Sequence, residues 1–234
     1  MKCKSISSET LATSLLTKEE DTESDIHSYI SSNPSQSDQL ALIKAMKPPT
    51  WEAIKSRRVK LGEKTRKYTL FLDLDETLVY SRGHSLKRSI SDSKYLEVTI
   101  RPYTQELLEM ASALYEIVIF SAGSKDYVLN VVDLIDPHRK YIKKVLHREH
   151  CIPVGKDCFV KDLRIIEDRL MEEMLIVDNS ILSFAFQLAN GVCVDSYFGE
   201  EDDKELGYLN TYLSDLYTKE DIVKINGENM GLLS

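Results

Sequence analysis

Cysteine is scarce: Cys3, Cys151, Cys158 and Cys193 are the only four in 234 residues, and they form no disulfide-framework spacing. That usage suits a reducing compartment. No apolar run approaches the roughly 20 residues needed to cross a bilayer, and the N-terminus lacks the charged-then-apolar layout of a secretory signal. A nuclear or cytoplasmic location without a membrane span is expected. Positive charge is not in excess either. The chain has 30 Lys and Arg against 38 Asp and Glu, a net charge of -8, which disfavours broad electrostatic binding to nucleic acid. Paired metal-ligand spacings are also missing: His147, His150, Cys151 and Cys158 lie near one another but lack the C-x2-C or H-x3-H pairs of a zinc site. They read better as core or loop residues.

With 42% hydrophobic residues, the chain can bury a substantial core in one main domain plus an extension. Residues 1–64 are expected to be a disordered or weakly structured extension, 65–225 the domain and 226–234 a tail. The first 38 residues are rich in Ser, Thr, Glu and Asp and carry too little apolar surface to offset ordering entropy. Leu40, Leu42, Ile43 and Met46 then recur at helical spacing before Pro48 and Pro49, which suggests a short docking helix. The basic run Lys55, Arg57, Arg58, Lys60, Lys64, Arg66 and Lys67 is either a solvated lead-in or an import or partner-binding patch.

Beyond it, the pattern alternates. Short apolar runs at 68–72, 117–120, 174–177 and 192–194 read as strands buried on both faces. Between and after them lie helical patterns: Leu107, Met110, Ala111 and Leu114; Val128, Val131, Val132 and Ile135; and Leu206, Leu209, Leu213 and Leu216. The expected fold is α/β, an open, Rossmann-like parallel sheet flanked by helices. Leu96, Val98 and Ile100 alternate with polar residues as a one-sided strand in a small β insertion after the first strand, with 87–91 as its candidate partner.

The polar residues at the strand ends carry the functional argument. The first strand runs into Asp73 and Asp75, the second into Ser121, the third into Asp178 and Asn179, and open α/β sheets bind ligands beyond the carboxyl ends of their strands. Taken singly, Ser121 reads as a cap, Lys161 as a surface charge and Asp178-Asn179 as a turn. Their common placement favours chemistry. Phosphoryl transfer needs a nucleophile, a proton donor for the leaving oxygen and positive charge around the phosphoryl oxygens.

Asp73-Leu74-Asp75-Glu76-Thr77 resembles the first motif of the haloacid dehalogenase superfamily. Ser121 in Phe120-Ser121-Ala122-Gly123, Lys161 in Phe159-Val160-Lys161-Asp162-Leu163, and Val177-Asp178-Asn179-Ser180 are similar to its second, third and fourth motifs. Arg148-Glu149-His150-Cys151, Val160-Lys161-Asp162-Leu163 and Ile176-Val177-Asp178-Asn179-Ser180 narrow the resemblance to the small phosphatases related to those acting on the carboxy-terminal domain of RNA polymerase II. It spans roughly residues 67–216.

The resemblance implies a protein serine/threonine phosphatase. Asp73 would be the nucleophile and Asp75 the acid and base, with Ser121, backbone N–H groups near Leu74, and Lys161 holding phosphoryl oxygens. Mg²⁺ would be held by Asp73, the Asp75 carbonyl and Asn179, with Asp178 behind it pairing with Lys161. Thr77, Arg101 and Tyr127 are the candidate substrate contacts. Ser121, Gly123 and Ile181 stand where the family often has Thr, Ser and Pro, which bears on loop geometry and substrate preference.

The gaps between Asp75 and Ser121, and between Lys161 and Asp178, leave room for little more than a small insertion and a helix each, so no large cap domain is expected. An open site suits phosphorylated protein segments as partners better than an enclosed metabolite. Two other functions compete. One is a small-molecule phosphatase of the same superfamily. The other is a non-catalytic protein resembling the related mitochondrial import receptor subunit, which would predict an Arg-rich presequence; the first twenty residues have no Arg but include Glu9, Glu19 and Glu20.

Overall fold

The computed structural model describes residues 36–82, 97–154 and 158–232. The extension contributes α1 (Gln36–Ala45) and α2 (Trp51–Lys55), followed by β1 (Tyr68–Leu72), β2 (Val79–Arg82), β3 (Glu97–Ile100), α3 (Thr104–Leu114), β4 (Tyr115–Phe120) and α4 (Lys125–Ile135). Then come β5 (Ile142–Leu146), β6 (Ile152–Pro153), β7 (Phe159–Val160), β8 (Met174–Asp178), β9 (Gly191–Cys193), α5 (Glu205–Tyr217) and α6 (Ile222–Met230). Strands β5-β4-β1-β8-β9 form one sheet, with β1 central and parallel to both β4 and β8. This is the expected open parallel α/β architecture. No helix among the described residues is long and apolar enough to cross a membrane.

Because strand side chains alternate, each central strand serves two cores. Leu70, Leu72, Ile117, Ile119, Leu175 and Val177 pack with helix residues such as Leu107, Val128 and Leu213 on one face. Phe71, Val118, Phe120 and Ile176 face the other way, toward Ile54, Leu61, Leu163, Ile165 and Phe184. Burying a Leu or Phe fully is worth about 1.5–3 kcal/mol, so both layers matter to stability.

The second layer also draws on residues before 65. Leu42, Ile54 and Leu61 are buried, and Leu40 and Ile43 pack on the same core, so the domain recruits its covering from residues assigned to the extension. At the other end α6 runs across residue 226. Asn226 is fully buried, and its Nδ2 donates to the carbonyls of Ala189 (2.7 Å) and Gly191 (2.9 Å). It thereby pairs one carbonyl of the edge strand β9, where pairing groups would otherwise be exposed. Gly191 itself must be Gly, because a Cβ there would lie 2.0 Å from the Phe184 ring.

Two further expectations differ. No α-helix lies between Lys161 and Asp178; the segment makes short 3-10 turns at Leu163–Ile165 and Met171–Glu173. Val59 bridges Ile166 in parallel, with Val59 N–H donating to Ile165 O and Glu167 N–H donating to Val59 O, and backbone paired this way cannot continue a helix. In the insertion, β3 pairs antiparallel with β2, Val79 opposite Ile100 and Ser81 opposite Val98. The proposed partner at 87–91 lies outside the described residues. Only Val98 of β3 packs inward; Ile100 is 44% exposed.

Candidate active site

The sheet extends past its strand ends by single backbone bonds that place the functional residues side by side. Asp73 N–H donates to Val177 O (3.0 Å), and Ser121 N–H donates to Leu146 O (3.0 Å). The Leu74 carbonyl then accepts from the N–H groups of Thr77, Leu78 and Val79, closing a tight turn that carries Asp75 off the strand. Lys161 arrives from β7, anchored by its N–H to Ser183 O (2.6 Å). Its side chain is almost fully buried, and Nζ lies 2.5 Å from both Asp73 Oδ1 and Asp178 Oδ2. The expected Lys161–Asp178 pair is thus present, and one ammonium also serves Asp73.

This centre is short of positive charge. The Asp73 carboxyl is raised to about 7: burial pushes it up, the Lys161 ammonium pulls it down, and the charges of Asp178 and Asp75 push it up again. Burial would lower Lys161, but Asp178 and Asp73 outweigh it and raise its pKa, so Lys161 stays charged. Excess negative charge in a buried oxygen-rich site is the setting in which a hard divalent cation fits. Asp73 Oδ2 and Asn179 Oδ1 lie 3.3 and 3.4 Å from the Thr77 hydroxyl, so two oxygen donors of the implied Mg²⁺ set converge on one side chain. The residues present fit that ion.

Asp75 has different surroundings. Tyr127 Oη donates a very short hydrogen bond to Asp75 Oδ1, and because that proton is used, the Ser81 hydroxyl is the donor in its 2.6 Å contact with Tyr127 Oη. Burial, reinforced by the Asp75 charge, raises the Tyr127 phenol, so it remains a donor. The insertion is thereby linked to Asp75 through one tyrosine. Ser121 is fully buried, and its Oγ accepts from Gly123 N–H at 2.9 Å, a bond that does not use the hydroxyl proton.

Two expected substrate contacts are engaged by neighbouring side chains. Thr77 is fully buried and bridges Asp73 to Asn179. The Arg101 side chain has no exposure: its Nε and Nη2 grip Asp203 at 2.8 Å each, and Nη1 donates to Thr77 O. Bidentate pairing with an aspartate and stacking over Tyr197 commit this guanidinium to bracing the Asp73–Thr77 turn from below.

Several residues in the site were not anticipated from the sequence. Glu76 Oε2 and Ser196 Oγ accept from Asn179 Nδ2. Burial, helped by Asp75, raises the Glu76 carboxyl against the Asn179 bond. Glu76 lies inside the first motif, so the signal was present but unread; Ser81 and Ser196 have no sequence signal of their own. The Arg148-Glu149-His150-Cys151 motif acts as a clamp on the Ser121 loop. Arg148 donates from Nε to Ala122 O (2.7 Å) and from its backbone to Gly123 O (2.9 Å), and Cys151 Sγ donates to Ser121 O. Burial pushes the Cys151 thiol up to about 12, so it packs as a neutral group.

The geometry agrees with similarities to known proteins. The family model described as NLI interacting factor-like phosphatase matches residues 68–223. CTD small phosphatase-like protein 3 of Caenorhabditis elegans is 37% identical over 182 residues, covering 73% of this chain and 63% of that protein. CTD small phosphatase-like protein 2 of Dictyostelium discoideum is 35% identical, over 67% of this chain but 28% of its own length. The human carboxy-terminal domain RNA polymerase II polypeptide A small phosphatase 2 is 33% identical over 67% of this chain and 60% of its own. Among solved structures, Fcp1, an essential RNA polymerase II CTD phosphatase, aligns over 72% of this chain and 54% of that one, with a TM-score of 0.45 and 20% identity. The chain thus spans between about a quarter and two thirds of these curated relatives. Since the family model spans the whole sheet, from β1 through α5, the chain belongs to the NLI interacting factor-like phosphatase family.

Proposed function

We propose that this chain is a Mg²⁺-dependent phosphoprotein phosphatase acting on phosphorylated serine or threonine through an aspartyl-phosphate. The observation that carries the reading is Lys161 Nζ held 2.5 Å from both Asp73 and Asp178 at the carboxyl ends of adjacent strands. Asp73 Oδ attacks phosphorus in line, the bond from phosphorus to the seryl oxygen breaks, and Asp75 delivers its proton to that leaving oxygen. Asp75 then takes a proton from water as the water attacks the aspartyl-phosphate. The bond from phosphorus to Asp73 breaks, and phosphate leaves. Lys161 and the Ser121 hydroxyl offset charge on the phosphoryl oxygens. Asp73, the Asp75 carbonyl and Asn179 would hold Mg²⁺, which when bound supplies electrostatic stabilisation of the transferring group. Phosphorylated protein segments are the proposed partners, in the nucleus or the cytoplasm, and RNA polymerase II tail-like phosphopeptides are the first substrates to try. Relatives named for that tail support this choice.

The test is turnover by the full chain on phosphoserine and phosphothreonine peptides, sugar phosphates and p-nitrophenyl phosphate, with Mg²⁺ and with EDTA. Peptide hydrolysis that requires Mg²⁺ and outpaces the sugar phosphates is expected. Faster sugar-phosphate hydrolysis would favour a metabolite phosphatase, and no turnover with any metal would favour a binding protein.

Tyr127 gives a finer test of Asp75. General acid catalysis contributes about 10²–10⁴ in rate, and only where the leaving oxygen needs a proton. Tyr127→Phe removes this hydrogen bond from the Asp75 carboxyl, so kcat/KM for phosphoserine, which covers the acid-assisted first step and not the shared hydrolysis, should fall about tenfold or more, while kcat/KM for p-nitrophenyl phosphate, with its good leaving group, falls much less. Equal losses on both substrates would remove Tyr127 from this role.

A further inference from the structure

Glu76 adopts a left-handed backbone, φ +59°, a conformation unfavourable for a residue with a full side chain and natural for Gly. Its N–H donates to Val79 O at 2.7 Å, and its carbonyl accepts from Tyr197 N–H at 2.8 Å. From there Oε2 accepts from Asn179 Nδ2 at 3.2 Å. The same Nδ2 reaches Ser196 Oγ at 2.9 Å, and Asn179 Oδ1 points to the Thr77 hydroxyl that also contacts Asp73.

The two ends of an amide have nearly the same shape, and hydroxyls such as Ser196 and Thr77 serve as donor or acceptor to either end. An ionised carboxylate only accepts. Of the three side chains around this amide, Glu76 alone therefore sets which end faces Asp73. Remove it, and a flipped Asn179 would present N–H groups where an oxygen is needed.

We infer that Glu76 is a positioning residue: it locks the Asn179 amide with its oxygen toward the Mg²⁺ position, and the strained backbone at Glu76 is retained because it delivers the carboxylate there. The inference rests on the Mg²⁺ reading proposed above.

The experiment is calorimetric titration of Mg²⁺ into the full wild-type chain and into Glu76→Gly, Glu76→Asn and Glu76→Gln, with thermal melting of each in EDTA. Glu76→Gly is expected to bind Mg²⁺ about tenfold more weakly or worse, the usual loss when a partner of a metal ligand is removed. It should melt no lower than wild type, because the strain is relieved. Glu76→Asn, which also tolerates the left-handed region, should show the same split and keeps the test decisive if Gly loosens the turn. Glu76→Gln removes the acceptor-only character, since its own amide can turn either end to Asn179, and should lose affinity as well. Unchanged affinity in the Gly and Asn variants overturns the inference, as does a parallel fall of affinity and melting in both. A Gln variant with wild-type affinity shows that an acceptor-only group is not what fixes the amide and overturns it too. A wild-type chain that binds no Mg²⁺ yet turns over in EDTA overturns the Mg²⁺ reading itself and the inference with it, whereas metal-binding wild type with unaltered variants sinks the inference alone.

Discussion

Asp73→Asn is expected to lower kcat on every phosphorylated substrate by about 10⁴-fold or more, the range seen when a nucleophile that works as part of a unit is removed. The amide is too weak a nucleophile to attack phosphorus. Its shape is nearly that of the carboxylate, so the fold should survive. The same substitution should leave thermal stability in EDTA unchanged or raise it. Asp73, Asp75 and Asp178 crowd a buried site with one lysine, and burial together with those neighbours already pushes the Asp73 carboxyl up to about 7. Neutralising it removes repulsion, while Lys161 keeps Asp178 at 2.5 Å. Steady-state kinetics beside a melting curve make the comparison; appreciable turnover by the variant would move the nucleophile elsewhere, and a large drop in melting would make Asp73 a structural residue.

The largest effect on stability is expected far from the site, at the opposite ends of the strands. Glu116 has no side-chain exposure, and its Oε2 accepts from Arg169 Nε at 2.7 Å, another side chain almost wholly buried. Its Oε1 accepts from Thr65 N–H at 2.7 Å and pairs with Lys143. Arg169 also reaches Gly62 O (3.1 Å), and the Asp168 carboxylate accepts from the N–H groups of Leu61 and Gly62 (2.9 Å each). This network ties the basic strap before β1 to the base of the sheet.

Glu116→Gln takes from buried Arg169 its closer carboxylate and leaves Asp168 Oδ1, at 3.5 Å, as the remaining one; breaking a buried pair from one side costs about 3–5 kcal/mol. Burial alone would raise the Glu116 carboxyl, but hydrogen bonds from Arg169, Lys143 and Thr65 outweigh it and hold the group at about 2, below its usual 4.5. A depressed carboxylate stabilises the folded state fully above its unfolded value and loses that contribution as the pH falls toward its folded one. Wild-type stability should therefore decline from about pH 4.5 toward pH 2 through this group, and the Gln variant should lack that component. Denaturant melts across this range test it. A loss below about 1 kcal/mol would class the pair with ordinary surface ion pairs.

Periodicity and strand-end polarity made most of the sheet and its chemistry readable in advance. The runs before Asp73, Ser121 and Asp178 are buried on both faces and so are continuously apolar, and α3, α4 and α5 announce themselves by helical stripes. β5 escaped because it lies at an edge, where Lys143 and Lys144 interrupt the apolar pattern. The covering of the second layer was legible only in part: Leu40, Leu42, Ile43 and Met46 announced the docking helix α1, whereas α2 and the strap are short, polar segments that dock on Ile165 and the Glu116–Arg169 network.

By itself the sequence determined the α/β class, the order of the motifs and the residue types gathered at the strand ends, because these depend on local pattern and on which strands carry acids at their carboxyl ends. Only the tertiary structure decided how those residues are used. It divided Lys161 between Asp73 and Asp178, turned Arg101 inward to Asp203, placed Thr77 between Asp73 and Asn179, and set Tyr127 on Asp75. Each of these depends on side chains distant in sequence meeting within hydrogen-bond range, and a buried polar group takes whatever partner the packing brings to it.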